Sequence, residues 1–174
     1  GILPSIPLLA PIFSEKEVLK TMKKVADWQL DNMPVPGEHP RHYHHWDWTN
    51  AALFTGISAL YKTSSDKKYF KALEGFAESI DWGLGPRFRH ADDICIGQTY
   101  LELNEIKPAP YKVRKIKNRI DSLMADPKPG RVDYWWFDAL YMAPPTIARL
   151  AKTTGDMKYI DYMKDILWDA HEFL

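Results

Sequence analysis

Apolar residues recur along this chain at helical rather than strand spacing. Ser14-Glu15-Lys16-Glu17 reads as a capping box, with Ser14 as N-cap and Glu17 three residues on. A helix follows, carrying Val18, Met22, Val25 and Trp28 on one face, and it should stop near Asn32, before Pro34 and Pro36. Pro34 to His45, rich in Pro, Gly and His, is loop. A second helix is expected from near Trp48 to about Lys62. Its run Ala51-Ala52-Leu53-Phe54-Thr55-Gly56-Ile57 is apolar on most faces, so the helix should be buried on most faces. Asp66 can cap a third, amphipathic helix through Trp82. Further helices are expected near 92–105, 111–124, 134–151 and 156–172, with Gly or Pro between them. No segment alternates as a strand would, and the chain reads as all-α.

The helices repeat. Lys62-Thr63-Ser64-Ser65-Asp66-Lys67-Lys68-Tyr69 returns ninety residues later as Lys152-Thr153-Thr154-Gly155-Asp156-Met157-Lys158-Tyr159. Halving that shift lands on Lys107-Pro108-Ala109-Pro110, which again separates an apolar helix from a Lys-rich one. The period is forty-five residues, one helical hairpin per repeat, each with an apolar first helix and an amphipathic second. That pattern suits two layers, an inner one buried all round and an outer one wet on one face. Periodicity leaves two architectures open, an open superhelical solenoid and a closed barrel.

Composition narrows the function. Twenty-three basic residues balance twenty-three acidic ones, so no basic stripe argues for nucleic acid. No stretch approaches the roughly 20 apolar residues a membrane helix needs. Seven Trp and nine Tyr are a heavy aromatic load, of the kind that sugar-stacking platforms would explain. The start, Gly1-Ile-Leu-Pro, lacks Met and a charged leader region. It reads as a chain from which a leader was removed, so a periplasmic or secreted location is expected, although a single cysteine suits the cytoplasm as well.

Acidic residues fall at equivalent points of the repeat. Asp47 stands at the start of the first inner helix, Asp92 and Asp93 at the start of the second, and Asp138 in the first turn of the third. Parallel inner helices would gather these carboxylates at one mouth, beside Trp46, Trp48, Trp135 and Trp136. An Asp in a first turn commonly just caps its helix. Capping does not call for indoles beside every carboxylate, however, and clustered like charges keep one carboxyl protonated, as a general acid requires. His42-Tyr43-His44-His45 lacks the i, i+4 spacing of a helical zinc site and has no Cys beside it, so no metal site is expected. Cys95 lies in an apolar stretch and reads as packing. Gly97, within the 92–105 helix, reads as a point of close helix contact.

Three blocks carry a family resemblance: Trp46-Asp47-Trp48-Thr49-Asn50-Ala51-Ala52-Leu53, Arg89-His90-Ala91-Asp92-Asp93-Ile94-Cys95-Ile96-Gly97-Gln98-Thr99-Tyr100, and Trp135-Trp136-Phe137-Asp138-Ala139-Leu140-Tyr141-Met142-Ala143-Pro144-Pro145, the last preceded by Gly130-Arg131. Together they resemble glycoside hydrolase family 105, the unsaturated rhamnogalacturonyl hydrolases, to which the family 88 unsaturated glucuronyl hydrolases are related. The resemblance implies an (α/α)6 barrel. It implies removal of a terminal 4,5-unsaturated uronic acid from lyase-generated oligosaccharides, of pectin or rhamnogalacturonan type, by hydration of the C4=C5 bond, without metal or organic cofactor. By motif position Asp138 is the proton-transferring residue and Asp92 its assisting carboxylate. Trp48 and Trp136 match aromatic residues lining the subsite, and Asp47, Asn50, His90 and Asp93 are its ring-hydroxyl partners.

The resemblance also sets the expected extent. Residues 1–13 form an extended segment, and 14–174 form the N-terminal part of one barrel domain, roughly its first half. The remaining half, from the same polypeptide or a second chain, is expected to complete the pocket. Two other classes fit the same residues: another helical-barrel carbohydrate enzyme, whether inverting hydrolase or epimerase, and a helical-repeat binding module without catalysis.

Overall fold

The computed structural model describes residues 13–35, 38 and 44–174. The expected N-terminal extended segment lies, except for its last residue, outside them, as do His42 and Tyr43. By their internal contacts the residues form two units, Gly1–Met33 and Pro34–Leu174.

The first unit contains α1 (Glu15–Asp31). Its capping box is complete, with the Ser14 hydroxyl accepting from Glu17 N–H at 3.2 Å and the Glu17 carboxylate accepting from Ser14 N–H at 2.9 Å. Asn32 caps the other end, as the following prolines require.

The second unit is a row of helical hairpins. Helix α2 (Trp48–Ser64) pairs with α3 (Lys67–Ser79), α5 (Gly97–Ile106) with α6 (Pro110–Ala125), and α9 (Pro144–Thr154) with α10 (Lys158–Phe173). The first helix of each hairpin forms the inner layer: α5 packs on α2 at one side and on α9 at the other. Helix α5 is accordingly buried on every face from Gly97 to Leu103, whereas α3, α6 and α10 each bury one stripe. The repeat is visible atom by atom. Ser65 and Gly155, ninety residues apart, both close their helices in the left-handed conformation, at φ 56° and 72°. Asp66 and Asp156 then accept from the N–H two residues on, and the buried rings of Tyr69 and Tyr159 each lie 4.9 Å from a lysine ammonium.

Three short helices complete the chain: α4 (Ala91–Ile94), α7 (Gly130–Asp133) and α8 (Ala139–Met142). Two of them, α4 and α8, belong to helices that the sequence pattern drew as continuous. The expected 92–105 helix begins with i→i+3 bonds (Cys95 N–H to Asp92 O, Gln98 N–H to Cys95 O) before α5 starts, a tightened first turn. The expected 134–151 helix is replaced by a non-helical stretch at 134–138, then α8, then α9, which starts at Pro144 because a proline at the first helical position forfeits no bond. Gly97 opens α5 instead of standing within it, and its packing is tight: a Cβ would meet Thr146 Cγ2 at 2.7 Å and Ile116 Cδ1 at 2.9 Å. Among the described residues there is no strand, and no helix is long and apolar enough to cross a membrane.

Inner helices run parallel. Glu102 of α5 pairs with Arg149 of α9, and Glu105 one turn later with Lys152 one turn later. Their N-terminal ends therefore share one side of the layer, and that is where the candidate carboxylates fall.

Candidate active site

Two backbone segments build the site: the turn and α4 over residues 85–94, and the stretch 134–138 leading into α8. Helices α4 and α8 pack together. Four devices fix the second segment. Arg89 grips Asp133 with two parallel bonds, Nε to Oδ1 at 2.9 Å and Nη2 to Oδ2 at 2.7 Å, and its third nitrogen donates to Asp126 O. Arg131 makes a similar fork with Asp169 of α10. Gly130 lies so close to Ile166 O that no side chain fits there. From the other side the Gln98 amide donates to Tyr141 O and Met142 O.

This scaffold brings Asp92, Asp138, His90 and Trp136 together. The His90 and Trp136 rings lie 4.6 Å apart, and Trp135 stands edge-on to Trp136 at 5.2 Å. Asp138 is exposed at the N-cap position of α8, without a side-chain cap bond. Asp92, half-buried in the first turn of α4, is held above the usual carboxylate range. Burial is the main cause, the Asp138 and Asp93 charges add to it, and His90 and Arg87 oppose it. The two carboxylates thus feel one another across a half-dry site flanked by aromatic faces. That arrangement can hold a proton on one member while the other stays charged.

Asp93 is placed differently from its neighbour. Only 1% exposed, its carboxylate accepts from Arg87 N–H at 2.7 Å, from Nε at 3.0 Å and from Nη2 at 2.6 Å. Asp47, Trp48 and Asn50 stand at the start of α2. Asp47 caps that helix through Thr49 N–H, and the buried Asn50 amide donates to His44 O, so both polar groups hold their own turn. Trp48 is exposed. His45 is taken up by Ser79 Oγ at 2.7 Å and packs on Phe76, and burial, then the neighbouring His44, lowers its pKa. Cys95 is buried and its thiol is pushed up to about 12, chiefly by burial, which suits packing rather than nucleophilic attack.

Sequence reasoning missed Arg87. It lies just before the Arg89-to-Tyr100 block, and its signal was faint: two arginines alternating at 87 and 89, followed by two adjacent aspartates.

Comparison with known proteins places the chain in a family. An unsaturated 3S-rhamnoglycuronyl hydrolase of Formosa agariphila is 29% identical over 174 aligned residues, covering 92% of this chain and 45% of that protein. A hydrolase of the same name from Alteromonas sp. is 27% identical over 148 residues, covering 73% and 36%. The chain spans less than half the length of the curated relatives it matches. Among solved structures, one named as a polysaccharide lyase superposes with a TM-score of 0.76 at 25% identity, over 90% of this chain and 46% of that one. A family 88 glycosyl hydrolase from Bacteroides vulgatus superposes at 0.75 and 19% identity, over 89% and 47%, a likeness of fold. The hairpin row is thus part of a helical barrel. The model of glycosyl hydrolase family 88, the family related to the one that the motif blocks resemble, matches residues 14–173. The chain belongs to glycosyl hydrolase family 88.

Proposed function

We propose that the protein carrying this chain removes a terminal 4,5-unsaturated uronic acid from lyase-generated oligosaccharides by hydrating the C4=C5 bond. The observation that carries the reading is the pairing of Asp92 and Asp138 beside the Trp136 and His90 rings. Asp138, the more exposed, delivers a proton to C4 and accepts one from the water that adds at C5. Its carboxyl is thereby restored, and the hemiketal so formed opens to release the shortened sugar chain. Asp92, beside it, steadies the uronate ring and assists the proton transfer. Trp136 offers a flat apolar face for the ring. Trp48 lines the same mouth, and Asp47 and Asn50 support it by fixing the turn before α2. Asp93 serves the site through Arg87. The names of the curated relatives favour products in which a rhamnose follows the uronate.

Absorbance of the conjugated double bond tests this directly. The full-length protein is mixed with unsaturated oligosaccharides from rhamnogalacturonan, ulvan and glycosaminoglycan lyases. Absorbance should fall, fastest on the rhamnose-containing products. A rise on intact polysaccharide would show a lyase instead, and flat traces throughout would remove the assignment.

A further inference from the structure

Around Asp92 the donor and acceptor roles are not free, because one neighbour can only donate. The Nε edge of Arg87 is spent on Asp93, and the buried carboxylate also takes the Arg87 backbone N–H, so the side chain is held at both ends. Gly85 makes room for this anchor, since a Cβ there would overlap the Asp93 carboxyl group. The far edge of the guanidinium then faces the site. Nη1 lies 3.2 Å from His90 Nε2, and Nη2 lies 3.5 Å from Asp92 Oδ2.

A guanidinium has no acceptor and keeps its charge. The 3.2 Å contact therefore requires a bare lone pair on His90 Nε2. In a neutral imidazole the proton must then sit on Nδ1. Nδ1 is 3.5 Å from Asp92 Oδ2 and 3.4 Å from Asp92 N. The Asp92 N–H also points at Nδ1, as a helix cap of α4, so two donors compete for the one lone pair of a neutral ring. The Arg87 contact is the shorter, 3.2 Å against 3.4 Å, and carries a full charge. Trp136, 4.6 Å away, backs the ring and limits its rotation.

We propose that Arg87 is a positioning residue of this site: anchored on Asp93, it fixes His90 as the tautomer protonated on Nδ1 and aims that proton at Asp92. The inference rests on the reading of Asp92 as partner of Asp138. Asp92 then receives two charge-favouring contacts, from Arg87 and from His90, against the burial and the Asp138 and Asp93 charges that favour its neutral form. The other titratable group that senses it is the Cys95 thiol at the end of the same helix. Arg87 thereby keeps Asp92 charged down to lower pH than its surroundings alone would allow.

The test is nitrogen NMR of the histidine side chains in the labelled full-length protein, with His90 identified by the signals lost in His90→Gln. The wild type should show a protonated Nδ1 and a bare Nε2, and Arg87→Met should move the proton toward Nε2. A wild-type His90 protonated on Nε2 overturns the proposal, whatever the variant does. The second readout is the pH profile of kcat on lyase products. In Arg87→Met the acid limb should move to higher pH and kcat should fall roughly 10- to 100-fold, the scale on which partners that orient a ligating His act, with KM little changed. Arg87→Lys should recover part of the loss. An acid limb that stays in place in a folded Arg87→Met variant contradicts the proposal. The expected tautomer in a protein that hydrates no lyase product would leave the positioning intact and remove the hydration reading instead.

Discussion

At the scale of single residues, three acidic side chains that look alike in sequence are used in three ways. Asp92 is half-buried and costs stability when ionised, Asp93 is buried and neutralised by Arg87, and Asp138 stands exposed at a helix start. The raised pKa of Asp92 fixes a sign. Folded Asp92 binds its proton more tightly than unfolded Asp92, so its contribution is favourable at low pH and is lost as pH rises through the raised value. Asp92→Asn should therefore raise the melting temperature at neutral pH, with a gain that shrinks to nothing on acidification, while activity on lyase products collapses. The grouping of Asp92, His90, Trp136 and Asp138 was legible in the repeat spacing and the motif blocks. What separates Asp93 from Asp92 was not, because it depends on Gly85 letting a carboxyl group lie against its backbone, a matter of sub-ångström approach rather than pattern.

At the scale of elements, two helix starts were legible in their side chains: Ser14 and Asp66 cap as expected, while Asp47 and His90, read as ring-hydroxyl partners, also cap α2 and α4. The broken stretches were not, although Pro144-Pro145 carried the start signal for α9. The tightened turn at 92–98 shows no signal in residue type, since Gln98 and the tight Gly97 contact act through partners distant in sequence, Tyr141 for the one and Thr146 and Ile116 for the other. The repeat itself yields a paired prediction. Ser65 adopts the left-handed conformation that Gly155 adopts without a side chain, so Ser65→Gly should gain about 0.5–1 kcal/mol and Gly155→Ala should lose about 1 kcal/mol. Denaturant midpoints measure both, and equal effects of the same sign would show the two corners to be unlike. Gly130→Ala is a harsher change. Its Cβ overlaps Ile166 O, backbone that cannot swing aside, and the overpacking should cost about 1–3 kcal/mol and disturb the 134–138 segment. Its kcat should fall with it, since that segment carries Asp138.

At the scale of the whole molecule, the inner helices carry the candidate carboxylates at one end and an ion-pair network at the other. Glu102, buried in α5, accepts from Ser58 and pairs with Lys62 of α2 at 3.1 Å and Arg149 of α9 at 3.0 Å, tying three inner helices together. Burial alone would raise its carboxyl, and Ser58, Lys62 and Arg149 together bring it below the ordinary value. A lowered pKa means stability present above the ordinary carboxylate range and lost as pH falls through the lowered value. Glu102→Gln should therefore cost about 1–3 kcal/mol at neutral pH, and less in acid, where the wild type has lost its own advantage. Thermal melts across pH would show this, and a constant difference would argue that the charge is idle. The two-layer build was legible from periodicity, but whether such a row closes was not, because each hairpin touches only its neighbours; the motif blocks and the family decide it. The most direct test of the central claim is the loss of double-bond absorbance by the full-length protein beside its Asp138→Asn variant. The account predicts steady decay for the wild type and a rate lower by about 10²–10⁴ for the variant, whereas decay that survives the substitution would contradict it.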